Sequence, residues 1–87
     1  MYKVVWSSNA RENLWSVWRS SSDNLNLSIV ASMRKAHNIL SADPHVAGES
    51  RDQGRRILMI EPATFVFRVV EDEQLVRVLS VRVWQQS

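Results

Sequence analysis

The chain has no cysteine, so no disulfide cross-links it and no thiolate can hold a metal. It has only two glycines and two prolines. That excludes a glycine-rich phosphate loop and any low-complexity or collagen-like repeat. Histidine is equally scarce. His37 and His45 have no spacing that makes a metal pair, so neither a metal nor a cofactor is expected. No serine sits in a nucleophile-elbow pattern. Apolar runs last only a few residues, far short of a membrane span. The start, MYKVVWSSNA, lacks a basic segment followed by an apolar one, so no secretory signal is expected and the expected compartment is the cytoplasm. Lysine is nearly absent: Lys3 and Lys35 stand against nine arginines among eleven basic residues.

What is present fits one small domain over residues 1–87. The formal net charge is +2 and the sequence pI is about 9.7. Arginine in place of lysine favours planar, bidentate contacts to phosphate or carboxylate. A host genome rich in G and C produces the same excess.

Tyr2 to Trp6 (YKVVW) predicts a short first strand. Asn9, with Glu12 three residues on, predicts a helix start, and the helix runs to about Ser20. Leu14, Val17 and Trp18 form its apolar stripe, with Trp15 adjacent. Trp6, Trp15 and Trp18 predict a shared aromatic core. Ser22 or Asp23 caps a second helix reaching Leu40 or Ser41, which Asp43-Pro44 stops. Ile29, Met33, Ala36 and Leu40 fall on one face of it, and Ser28, Arg34, Lys35 and Asn38 on the other. Asp43 to Gly54 is the only long irregular segment. His45, beside Asp43 and Glu49, is the one acid–base candidate.

From Arg55 to Trp84 the pattern is a three-stranded antiparallel meander, RRILMI-EPA-TFVFRVV-EDE-QLVRVLSVRVW. The tail Gln85, Gln86 and Ser87 is expected to fray. Side chains alternate along a strand. Phe65, Phe67 and Val69 should pack on the helices. In the last strand Leu75, Arg77, Leu79, Val81 and Val83 should share that face, with Arg77 at its rim. Arg55, Arg68, Arg82 and Trp84 are then expected on the other side. Such a face is either a solvated surface whose charges pair with Glu61, Glu71 or Asp72, or a working surface. Arginine neutralises phosphates and tryptophan stacks on bases, but an acidic protein segment selects for arginine equally well.

The element order carries further landmarks. They are Asp43-Pro44, Gly48-Glu49-Ser50-Arg51, Arg55-Arg56-Ile57, the run Phe65 to Asp72, and Leu79-Ser80-Val81. With these the chain resembles, over nearly its whole length, the RelE/ParE superfamily, the toxin components of type II toxin–antitoxin modules. The resemblance implies an α+β fold ordered β-α-α-β-β-β, an antiparallel sheet with a helical hairpin packed on one face. It implies a toxin that inhibits growth and is neutralised by a cognate antitoxin. RelE-type members cleave mRNA on the ribosome without metal, using basic residues and a tyrosine, whereas ParE-type members act on DNA gyrase. A non-catalytic interaction module on the same fold is the third reading. Arg55, Arg68 and Arg82 are the catalytic candidates by this resemblance, and Arg51, Arg55, Arg68, Arg82 and Trp84 the candidate nucleic-acid or partner contacts. The RelE-type set is incomplete: Thr64 and Trp84 stand where arginines are expected, and the only tyrosine, Tyr2, is in the first strand. The short first strand and the Trp84 edge could each pair with another chain, which is the route to a homodimer.

Overall fold

The computed structural model describes residues 1–84, and the tail Gln85, Gln86 and Ser87 lies outside the described residues. The order is β1 (Lys3–Trp6), α1 (Ser8–Ser20), α2 (Asp23–Ala42), β2 (Glu49–Ser50), β3 (Arg56–Ile60), β4 (Ala63–Val70) and β5 (Leu75–Val83). The strands form one sheet in the order β1-β5-β4-β3-β2. The meander β3-β4-β5 is antiparallel, as its alternation and tight polar breaks predict. Two features extend the expected architecture. β1 lies parallel to β5, because the helical hairpin supplies the long crossover that a parallel pair needs. The irregular segment also contributes the two-residue strand β2, paired with Arg56 and Ile57 of β3.

Helix α1 begins earlier than Asn9 and Glu12 suggested. Ser7 is its N-cap, and the Ser7 hydroxyl accepts from the Ala10 amide at 3.1 Å. The same hydroxyl donates to the Leu79 carbonyl at 2.9 Å, so cap and sheet are joined in one residue. Ser22 caps α2, accepting from the Leu25 amide at 3.2 Å. The helix ends at Asp43, and Pro44 is buried behind it.

The core lies between helices and sheet. Phe65 and Phe67 are fully buried, with Ile29, Ala36 and Leu40 of α2, Ala10 of α1, and Val76, Val78 and Val81 of β5. Trp6 meets Phe65 edge-on, ring centroids 5.9 Å apart. The expected three-tryptophan core does not form: Trp15 is 60% exposed and Trp18 41%. The reason is the rotation of α1. Ala10 is buried and Asn13, Leu14 and Val17 are half-buried, a spacing that turns one continuous stripe inward. Asn13 belongs to that stripe because its side-chain oxygen accepts the Val81 amide at 3.0 Å. Trp15 and Trp18 are left outside, and Arg19 sits over the Trp15 ring at 5.8 Å.

One irregularity decides which residues of β5 face the core. Val66 pairs with Ser80, but Phe67 pairs with Val78, so Leu79 is an extra residue in the ladder. The bulge resets the alternation. Val81 and Val83 face inward after it, while Val76 and Val78 face inward before it. Leu75 and Arg77, expected on the helix side, therefore point the other way. The backbone groups that the bulge frees are taken up by α1. The Leu79 carbonyl accepts from Ser7 Oγ and from Asn9 Nδ2 at 3.1 Å, and the Val81 amide donates to Asn13.

Candidate functional site

Residues directly opposite in a ladder share a face. Arg56 pairs with Phe67 and so lies on the helix side. Its guanidinium reaches back over the 45–50 segment, donating to Ser50 Oγ at 2.7 Å and to the carbonyls of His45 at 2.9 Å and Ala47 at 3.3 Å. Arg56 is thus a clamp on the loop. Gly48 makes the loop possible. Its φ is +68°, and a Cβ there would lie 2.0 Å from the Ile57 carbonyl oxygen.

The opposite, outer face carries the cations. Arg68 stands directly across from Arg77, and Arg77 is flanked on its other side by Val5 of β1. Lys3 is beside Leu75. Arg82 pairs with Thr64, which in turn pairs with Met59. β1, β3, β4 and β5 contain no acidic residue. Half-buried Ile57, Val66, Val70 and Leu75 fill the gaps between the charges.

The expected group of Arg55, Arg68, Arg82 and Trp84 is divided in two. Arg55 and Arg68 meet through Gln53: Arg55 Nη2 donates to Gln53 Oε1 at 3.2 Å, and Arg68 Nη2 to the Gln53 carbonyl at 2.8 Å. Arg82 and Trp84 lie at the other end, where the Trp84 indole N–H donates to Thr64 Oγ1 at 2.9 Å. Thr64 and Arg68 are four residues apart on β4, so about 14 Å separates the two groups. Arg51 is exposed at the edge and paired with Glu49 at 3.1 Å. Arg77, expected at the rim of the helix side, is instead delivered by the bulge to the outer face, opposite Arg68.

His45 does not sit with Asp43 and Glu49 as an acid–base pair. Its Nε2 contacts Glu71 Oε2, whose other oxygen accepts from the Tyr2 hydroxyl at 2.7 Å. Tyr2 and His45 meet edge-on with centroids 5.9 Å apart. This cluster ties β1, the loop after α2 and the β4–β5 turn together at the helix-side end of the sheet. The Glu71 carboxyl is consequently unavailable to the outer-face arginines. The Tyr2 hydroxyl, then His45, hold the Glu71 carboxyl below its ordinary value. The same hydrogen bond, with some desolvation, raises the Tyr2 phenol. A depressed carboxyl contributes stability that is complete above its ordinary 4.5 and lost as pH falls through the lowered value. A raised phenol contributes stability that is complete below its ordinary 10.0 and lost as pH rises through the raised value. The melting temperature is therefore expected to decline at both ends of the scale. In Glu71→Gln both slopes should flatten, as followed by thermal melts across pH. Slopes as steep as those of the unmodified chain would show that other groups carry them.

Among the described residues no three His, Asp or Glu side chains are placed to hold a metal, and no helix is long and apolar enough to cross a membrane.

No family model and no curated protein sequence matches the chain. Solved structures do. The Mycobacterium tuberculosis RelBE2 toxin–antitoxin complex aligns with a TM-score of 0.73 at 19% identity, over 98% of this chain and 93% of that one. The chromosomal ParDE system of P. aeruginosa aligns at 0.74 and 20%, over 98% of each chain. The intact E. coli RelBE complex aligns at 0.70 and 16%, over 99% and 100%. At these identities the likeness is one of backbone, not of side-chain chemistry. The chain shares its fold with these toxin–antitoxin structures.

Proposed function

We propose that residues 1–87 act as one toxin-like domain, the growth-inhibiting component of a type II toxin–antitoxin system, working in the cytoplasm and neutralised by a cognate antitoxin. The observation that carries this is the outer sheet face. On a toxin fold it displays Lys3, Arg55, Arg68, Arg77 and Arg82 with no acid in the four long strands. Several of the fold's structural neighbours are toxin–antitoxin complexes.

The arrangement favours binding over cleavage. Metal-independent RNA cleavage needs a proton acceptor and converging cations at one phosphate. Here Arg82 stands about 14 Å from the Arg68–Arg77 pair. Glu71, His45 and Tyr2 are occupied with one another on the helix side.

The test is expression of the chain alone and together with the product of the adjacent open reading frame. Growth should slow in the first case and recover in the second, with the two proteins co-purifying. Overproduced, folded chain that leaves growth untouched would overturn the toxin reading. If Arg55→Ala, Arg68→Ala and Arg82→Ala each abolished cleavage of ribosome-bound message, the endoribonuclease reading would replace the binding one.

A further inference from the structure

The outer face contains a feature that its net charge alone does not explain. Arg68 and Arg77 are directly opposed neighbours on adjacent strands, their Cα atoms about 5 Å apart. Like charges in that position repel, and an ordinary solvated sheet avoids them. Both are exposed. Arg68 is steered by its bond to the Gln53 carbonyl. The Arg77 guanidinium has no hydrogen bond or ion pair among the described residues. Its position exists only because of the bulge at Leu79, which α1 stabilises through three side chains.

We propose that Arg68 and Arg77 form a two-guanidinium seat for a carboxylate side chain of a partner protein segment in which acidic and apolar residues alternate. The proposal rests on the toxin–antitoxin reading only for who that partner is. Two planar guanidinium groups can each engage one carboxylate oxygen, which lysines could not do with the same geometry. The repulsion between them then becomes attraction to a shared anion. Around the seat the surface is apolar. Val66 lies on one side, and Val70 with Leu75 on the other, all half-buried and all on the outer face. Apolar side chains of the bound segment would cover them on either side of the acid. A single-stranded RNA fits less well. It needs aromatic platforms beside its phosphate contacts, and the nearest outer-face aromatic, Trp84, is at the Thr64 end with its indole nitrogen committed.

The probe is a capped hexapeptide of alternating glutamate and valine, titrated into the full chain at low salt. Binding is read from the NMR signals of the arginine Nε–H groups. The controls are the same peptide with glutamine for glutamate and an oligouridylate of six nucleotides. The glutamate peptide should shift the Arg68 and Arg77 signals together. Arg77→Gln and Arg68→Gln should each weaken binding by about tenfold, the loss of one charge-assisted contact. Arg19→Gln, on the far helix, should not. Either variant is exposed and should keep the circular dichroism of the parent. Arg77→Gln binding the peptide as tightly as the parent, or oligouridylate moving the two arginines more than the glutamate peptide does, would overturn the seat. No growth readout is involved. A chain harmless to cells would overturn the toxin reading alone, and a toxic chain indifferent to Arg77→Gln in this titration would overturn the seat alone.

Discussion

Replacing Phe65 by alanine is expected to remove roughly 3–5 kcal/mol of folding stability, the usual cost of truncating a fully buried phenylalanine. Phe65 is 0% exposed, opposes Leu58 on one side and Val81 on the other, and makes a T-shaped contact with Trp6. No neighbour can collapse into the space easily. Strands hold it on two sides, and the surrounding core residues are themselves buried. A domain of this size has only about 4–13 kcal/mol in total. The melting temperature should therefore fall by roughly 15–30 °C. Trp6 fluorescence should report the loss directly, because its contact partner is gone. A drop of only a few degrees would mean that the core repacks around the cavity, contrary to the close packing inferred for it.

Gly48→Ala is expected to be the most damaging change outside the core, and Gly54→Ala provides its control. Both glycines have positive φ, +68° and +73°. Each substitution therefore carries the left-handed backbone penalty of about 1–2 kcal/mol. Only Gly48 adds a collision, since its Cβ would meet the Ile57 carbonyl at 2.0 Å, whereas nothing lies within 4 Å of the Cβ at Gly54. The β2–β3 pairing must open to relieve it. That releases the segment clamped by Arg56, and with it the 51–55 turn whose Gln53 carbonyl positions Arg68. Gly48→Ala should cost at least about 2 kcal/mol more than Gly54→Ala and should also weaken binding at the outer face. Chemical denaturation of the two variants separates the contributions. Equal losses would show that the loop yields freely and that Gly48 is there for its φ alone.

Much of this molecule is readable from its residues. The meander follows from three β-rich runs and two polar breaks. The inward Phe65–Phe67 face follows from alternation, and the stop of α2 from Asp43-Pro44. The Arg68 and Arg82 side of the sheet is legible for the same reason. The places where period-two reasoning failed share one cause, the extra residue in β5. Strict alternation from Val83 backwards puts Arg77 on the helix side, where burying its guanidinium would cost several kcal/mol. The chain resolves the conflict by inserting Leu79. A signal for this was present: Val-Arg-Val occurs twice, at 76–78 and 81–83. The two arginines are an odd number of residues apart, so both can point outward between inward valines only if the strand bulges between them.

The amino-acid pattern by itself thus determined the first strand, the two helices and the meander, the core phenylalanines and an acid-poor, arginine-bearing sheet, because local propensity and the alternation of burial act over a few residues. Three other things were settled by the tertiary structure, the last of them only hinted at by the repeated Val-Arg-Val. The fold set the rotation of α1 that leaves Trp15 and Trp18 outside, it diverted Glu71 to Tyr2 and His45, and it placed Arg77 opposite Arg68. Each depends on which distant group satisfies a freed hydrogen bond or a charge. Ser7, Asn9 and Asn13 reach Leu79 and Val81 across about seventy residues of chain, and no local pattern encodes that meeting.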